Sequence, residues 1–76
     1  MNEDRRKKLD EAKAFIDNAI NIINEVKDKE EEAKDSIPES MTDKIEKAEG
    51  AIESMDGALD SLEEVQDALD SAKGTT

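Results

Sequence analysis

Between Ala51 and Ala72 the chain repeats one seven-residue pattern three times, beginning Ala-Ile-Glu-Ser-Met-Asp-Gly and ending Val-Gln-Asp-Ala-Leu-Asp-Ser before Ala72. A seven-residue apolar period belongs to a helix packed against other helices. In heptad letters, Ile52, Leu59 and Gln66 fall at a, and Met55, Leu62 and Leu69 at d. Ala51, Ala58, Val65 and Ala72 fall at g, while Asp56, Glu63 and Asp70 make an acidic e row. The apolar face is wider than a two-stranded seam requires, and negative charge borders it.

The same rhythm runs through the first half. Leu9, Ile16, Ile23, Glu30 and Ile37 occupy a, and Ala12, Ala19, Val26 and Ala33 occupy d. Phe15 and Ile22 fall at g and Ile20 at e, so this helix also has a broad apolar side. Asn18, Asn21 and Asn24 read as solvated outer positions. Between the halves, Pro38 lacks an amide proton and disfavours helix at Ile37, so the first helix ends near there. Ser36 with Glu39 and Ser40 with Asp43 have capping-box spacing, and Ser40 is the favoured cap of the second helix. The spacing predicts an all-α chain of a single domain, residues 1–76. One helix runs over about 3–36, a turn over about 37–40 and a second helix over about 41–73. Asn2 caps the first helix, and Gly74 stops the second, leaving Thr75 and Thr76 to fray.

So short a connection makes the helices antiparallel, as a coiled-coil-like hairpin with each arm about 50 Å long. Pairing residues whose numbers have a constant sum sets a against d in every layer: Leu9 with Leu69, Ile16 with Leu62, Ile23 with Met55, Val26 with Ile52. Two layers are polar, Ala12 with Gln66 and Glu30 with Ala48. The basic run Arg5, Arg6, Lys7 and Lys8 then lies beside Asp67, Asp70 and the end of the second helix, an intramolecular clamp. Phe15 falls beside Val65 and Ile22 beside Ala58, a strip that a lone hairpin leaves in water.

Covering that strip is worth roughly 1.5–3 kcal/mol for each large side chain, and two helices alone make a marginal fold. The expected cover is a second copy, giving a homodimeric four-helix bundle. Its interface residues are Phe15, Ile20, Ile22, Ala51, Ala58 and Val65. Gly50 and Gly57 sit on the outer face and read as tolerated there.

Composition limits the chemistry. Hydrophobic residues make up 34% of the chain and charged residues 43%, with a single aromatic, Phe15, and no Cys or His. Catalysis by nucleophile and imidazole is therefore absent from the sequence, as are phosphate-cradling glycine loops. Weak divalent-ion binding by Glu63, Glu64 and Asp67 is conceivable but unspecific. The expectation is a non-enzymatic protein with no cofactor and no metal. No window approaches a membrane span and the N-terminus lacks a signal-peptide pattern, so a cytoplasmic protein is expected.

The formal net charge of −11 disfavours binding to nucleic acid or membrane and favours a basic protein partner. Residues 48–72 hold eight acids and no base. Glu49, Glu53, Asp56, Asp60, Glu63, Glu64, Asp67 and Asp70 thus form a candidate acidic surface. Two functional readings follow. The first is a structural or protein-interaction module that oligomerises through its apolar face. The alternative is an acidic inhibitor that mimics nucleic acid on a nucleic-acid-binding protein, such as a host-defence protein.

The opening Arg5-Arg6-Lys7-Lys8-Leu9, the turn Asp35-Ser36-Ile37-Pro38-Glu39-Ser40-Met41 and the acidic repeats ending Leu59-Asp60-Ser61-Leu62 carry a resemblance. Across nearly its whole length the chain resembles small acidic helical proteins encoded in bacterial, phage and prophage genomes. The resemblance implies a bacterial or phage setting and brings no site residues with it.

Overall fold

The structure, a computed structural model, describes residues 2–75. Two helices, α1 (Glu3–Asp35) and α2 (Thr42–Gly74), fold back on each other as an antiparallel hairpin. The Cα trace measures 59 × 15 × 10 Å, the shape of a two-helix rod. No strand occurs among the described residues.

Each helix end has a local cause. The Asn2 side chain accepts the Arg5 amide at 2.9 Å, which caps α1, and Glu3 and Asp4 stand at the positive end of its dipole. At the far end the helix stops at Asp35, three residues before Pro38, and Ile37 donates to the Lys34 carbonyl at 3.0 Å. A reverse turn follows, closed by the Met41 amide on the Pro38 carbonyl at 2.9 Å. That turn places Ser40 inside itself, one residue too early to cap α2. Met41 is the N-cap instead and makes no side-chain cap bond, so the expected Ser40 cap is not used. At the other end Gly74 is the last residue of α2 and not its stop. Thr75 follows as the cap, its amide on the Ala72 carbonyl at 3.4 Å and its hydroxyl donating to Ser71. Thr76 lies outside the described residues.

On α2 the inward rows are the ones the heptad names. Ile45, Ile52, Leu59 and Gln66 on one row, with Met55, Leu62 and Leu69 on the next, are all half-buried. Ala48, at 5% exposure, is the one buried residue among those described. On α1 the row Leu9, Ile16, Ile23, Glu30 and Ile37 also turns inward. The second inward row differs from the expected one. Ala12 and Ala19 of the expected row are half-buried, but Lys13, Ile20, Lys27 and Lys34 are half-buried too, whereas Val26 and Ala33 stand exposed and Val26 is 50% in the open. The pairing of Val26 with Ile52 as a seam layer is therefore wrong. From Val26 onward α1 therefore presents the next heptad row to the seam, a turn of roughly 50° about its own axis, while at Ala12 and Ala19 both rows share the seam.

The rotation has a physical reason. The expected row offers three alanines and a valine to the seam. The observed row offers Ile20 and three lysine stems, each with four methylenes to lay over apolar surface while the ammonium stays wet. It also carries those ammonium groups to the acidic flank of α2.

The axial register survives the rotation. Among the described residues these side-chain pairs cross the seam: Asp10 with Lys73, Lys13 with Asp70, Asp17 with Gln66, Lys27 with Asp56, and Lys34 with Glu49. Their residue numbers all add to one total, so a single register runs from end to end. That total is slightly larger than for Leu9 with Leu69. The difference follows from side chains leaning toward the N-terminus of their own helix, so that long ones meet from two or three residues further along each arm.

Glu30 interrupts an otherwise apolar row on the seam, with Ala48 buried at the same level of α2. Replacing it should help: Glu30→Leu should stabilise the hairpin by about 1 kcal/mol, the gain from a partly buried leucine. Thermal unfolding followed by circular dichroism checks this. A lowered midpoint would mean that Glu30 does not face the seam.

Candidate functional site

The hairpin has two long flanks of opposite character, and the cross-helix pairs define which is which. The five pairs lie along one edge of the seam. On α2 they use the acidic row Glu49, Asp56 and Asp70 together with Gln66 and Lys73. On α1 they use the lysine row together with Asp10 and Asp17. Lys27 meets Asp56 at 2.5 Å and Lys34 meets Glu49 at 3.8 Å. Lys13 bonds Asp70, Lys73 bonds Asp10, and the Gln66 amide donates to Asp17. Asp70 is thus engaged by Lys13, where the sequence reading offered it the basic run at residues 5–8.

The carboxylates act on the lysines they face. The hydrogen bond to Asp70 raises the Lys13 pKa above its ordinary 10.5; partial burial opposes this, and the charges of Asp70, Asp10 and Asp17 add to it. Lys27 is raised in the same way, first by its hydrogen bond to Asp56, against partial burial, and then by the charges of Asp56, Glu31 and Asp28. The ladder is open to water, so each rung is screened and modest. Its main effect is to give the acid row of α2 a positive neighbour.

Where the ladder holds one edge of each helix, the opposite edges lie together on the other side of the seam. This second flank is apolar. Phe15 is 75% exposed, Ile22 52% and Val65 45%, with Val26 beside them. Ala51 and Ala58 are exposed on the α2 part of the same flank. Five of the six residues expected at an interface therefore share it. The sixth, Ile20, is half-buried on the seam row with Lys13 and Lys27 and belongs to the hairpin's own packing. Val26 takes its place on the outer strip, a member that sequence reasoning assigned to the seam.

The flank is also free of acids. Reading the heptad rows that face it, α1 contributes Arg5, Lys8 and Lys29 and α2 contributes Lys44 and Lys47 as its only charges. All 22 Asp and Glu residues of the chain lie on other rows or in the turn. The cations sit toward the two ends, and Phe15, Ile22, Val26, Ala58 and Val65 fill the middle.

The candidate acidic surface divides differently. Glu49, Asp56 and Asp70 are rungs of the ladder. Glu53, Asp60, Glu63, Glu64 and Asp67 are exposed without an ion-pair partner among the described residues. Among the described residues no group of three or more Asp or Glu is arranged to hold a metal ion, and they enclose no pocket. No helix is long and apolar enough to cross a membrane. Gly50 and Gly57 stand in the interior of α2, where each costs about 1 kcal/mol relative to alanine. A Cβ built on either meets nothing within 4 Å.

No family model, no curated protein and no solved structure matches this chain.

Because the folded pKa values of Lys13 and Lys27 are raised, their contribution to stability is complete below about pH 10.5 and is lost as the pH climbs through the folded values. Lys13→Arg/Lys27→Arg should hold helicity to higher pH than the parent, since guanidinium does not titrate there. Lys29→Arg/Lys44→Arg, equal in charge but off the ladder, should not. Circular dichroism from about pH 9 to 12 at fixed ionic strength compares them. Identical profiles for the two pairs would remove the ladder's special role.

Proposed function

We propose that this protein is a non-enzymatic interaction module of bacterial or phage origin that associates with a second copy of itself through the apolar flank. The observation that carries the reading is Phe15, the one aromatic of the chain, left 75% exposed in line with Ile22, Val26 and Val65. Side chains of this size are costly to leave in water, and contiguous exposed apolar strips mark interaction sites.

Area supports the same reading. A compact monomer of 8.4 kDa exposes about 4,600 Å² by the usual scaling of surface with mass. The hairpin exposes 5614 Å², an excess of about 1,000 Å², close to the roughly 800 Å² that each partner gives to a standard interface. The acid-free character of the flank supports it too. Two chains of net charge −11 repel on approach, and the rows of this flank nearest the seam carry no carboxylate to add to that repulsion.

Sedimentation across a concentration series tests the proposal. The parent should form a dimer, and Phe15→Asp or Ile22→Asp should yield monomers of lower helicity, losing roughly 1.5–3 kcal/mol of burial per site. An assembly state unchanged by both substitutions would refute the role given to this flank.

A further inference from the structure

Resting on that reading, we infer that the two copies lie side by side pointing the same way, each seating the α1 ridge of one against the small-residue trough on α2 of the other. The flank has two halves of different shape. On α1 the side chains are bulky and stand out: Phe15, Ile22 and Val26 are each at least half exposed. On α2 the flank residues at the same height are small: Ala51, Ser54, Ala58 and Ser61. The hairpin's own ridge does not fill this trough, because Ala51, Ser54, Ala58 and Ser61 are all exposed.

Stacking two such flanks with two-fold symmetry allows two directions. If the copies oppose each other, α1 lies on α1 and α2 on α2. Ridge then meets ridge, and trough faces trough across a void, which close packing penalises. If the two-fold runs along the hairpin, each α1 lies on the partner's α2 and the bulky half meets the small half twice over. Height matches as well as shape. In the register set by Leu9 with Leu69, residues 15–22 of α1 stand level with 56–63 of α2. Rotation about the long axis preserves that level, so Phe15 and Ile22 of one copy arrive over Ala58 and Ser61 of the other.

The chain has no cysteine, so Ser40→Cys in the turn accepts a single nitroxide label per copy. Electron–electron double resonance on the dimer should give a distance of a few helix diameters, about 20–35 Å. Copies that oppose each other would place the labels nearly a hairpin length apart, toward 59 Å. A second variant, Ala58→Phe, fills the trough at a position the lone hairpin leaves exposed. It should weaken the dimer about tenfold or more by overpacking, whereas between opposed troughs it would fill the void and strengthen association. A dimer with the long distance, or one strengthened by Ala58→Phe, overturns the arrangement while leaving self-association standing. A monomeric mass at every concentration overturns both.

Discussion

Three lysines on the seam of α1 decide the rest of this structure. A two-helix rod has one line of contact, and Lys13, Lys27 and Lys34 occupy much of one row that α1 gives to it, with Ala12 and Ala19 on the other side of the Leu9, Ile16 and Ile23 row. Their stems contribute apolar cover and their ammonium groups reach Asp70, Asp56 and Glu49 at the edge. Turning those residues inward turns Val26 outward and carries Phe15 and Ile22 well clear of α2. The electrostatic pairing on one flank and the bare apolar strip on the other are two consequences of one rotation.

The rotation also sorts the charge. With the ladder on one side, the acids of both helices fall along that edge and over the back of the rod, leaving the opposite flank without any. Net charge alone gives a misleading picture of such a molecule. A chain of −11 presents one long face whose only charges are positive. Long-range repulsion between copies therefore coexists with a face on which they can meet.

Much of the architecture was legible in the heptads. The two helices, the turn beside Pro38, the antiparallel pairing and its axial register all follow from apolar spacing and one proline. The inward rows of α2 were legible too, because Leu59, Leu62 and Leu69 have no competitor for the seam. On α1 the rows compete. Ala12, Ala19, Val26 and Ala33 look like the seam when residues are sorted into apolar and charged. Ala12 and Ala19 do lie half-buried there, but at Val26 and Ala33 the lysine row wins, since a lysine stem buries more carbon than an alanine methyl. That sorting misplaced Val26 and Ile20 by one row each. It also assigned Asp70 to the basic run at residues 5–8, when Lys13 on the rotated helix was nearer. The Ser40 cap failed for a local reason, since a turn closed by Pro38 and Met41 shifts the helix start by a residue.

The account rests on which lysines touch which carboxylates. Zero-length carbodiimide coupling, which joins an amine to a carboxylate only when they are in contact, reads this directly when applied to dilute protein and followed by peptide mass spectrometry. The crosslinks should be Lys13 to Asp70, Lys27 to Asp56, Lys34 to Glu49 and Lys73 to Asp10. Crosslinks from Lys7 or Lys8 to Asp67 or Asp70 in their place would contradict the rotation of α1, and with it the division of the hairpin into a charged flank and an apolar one.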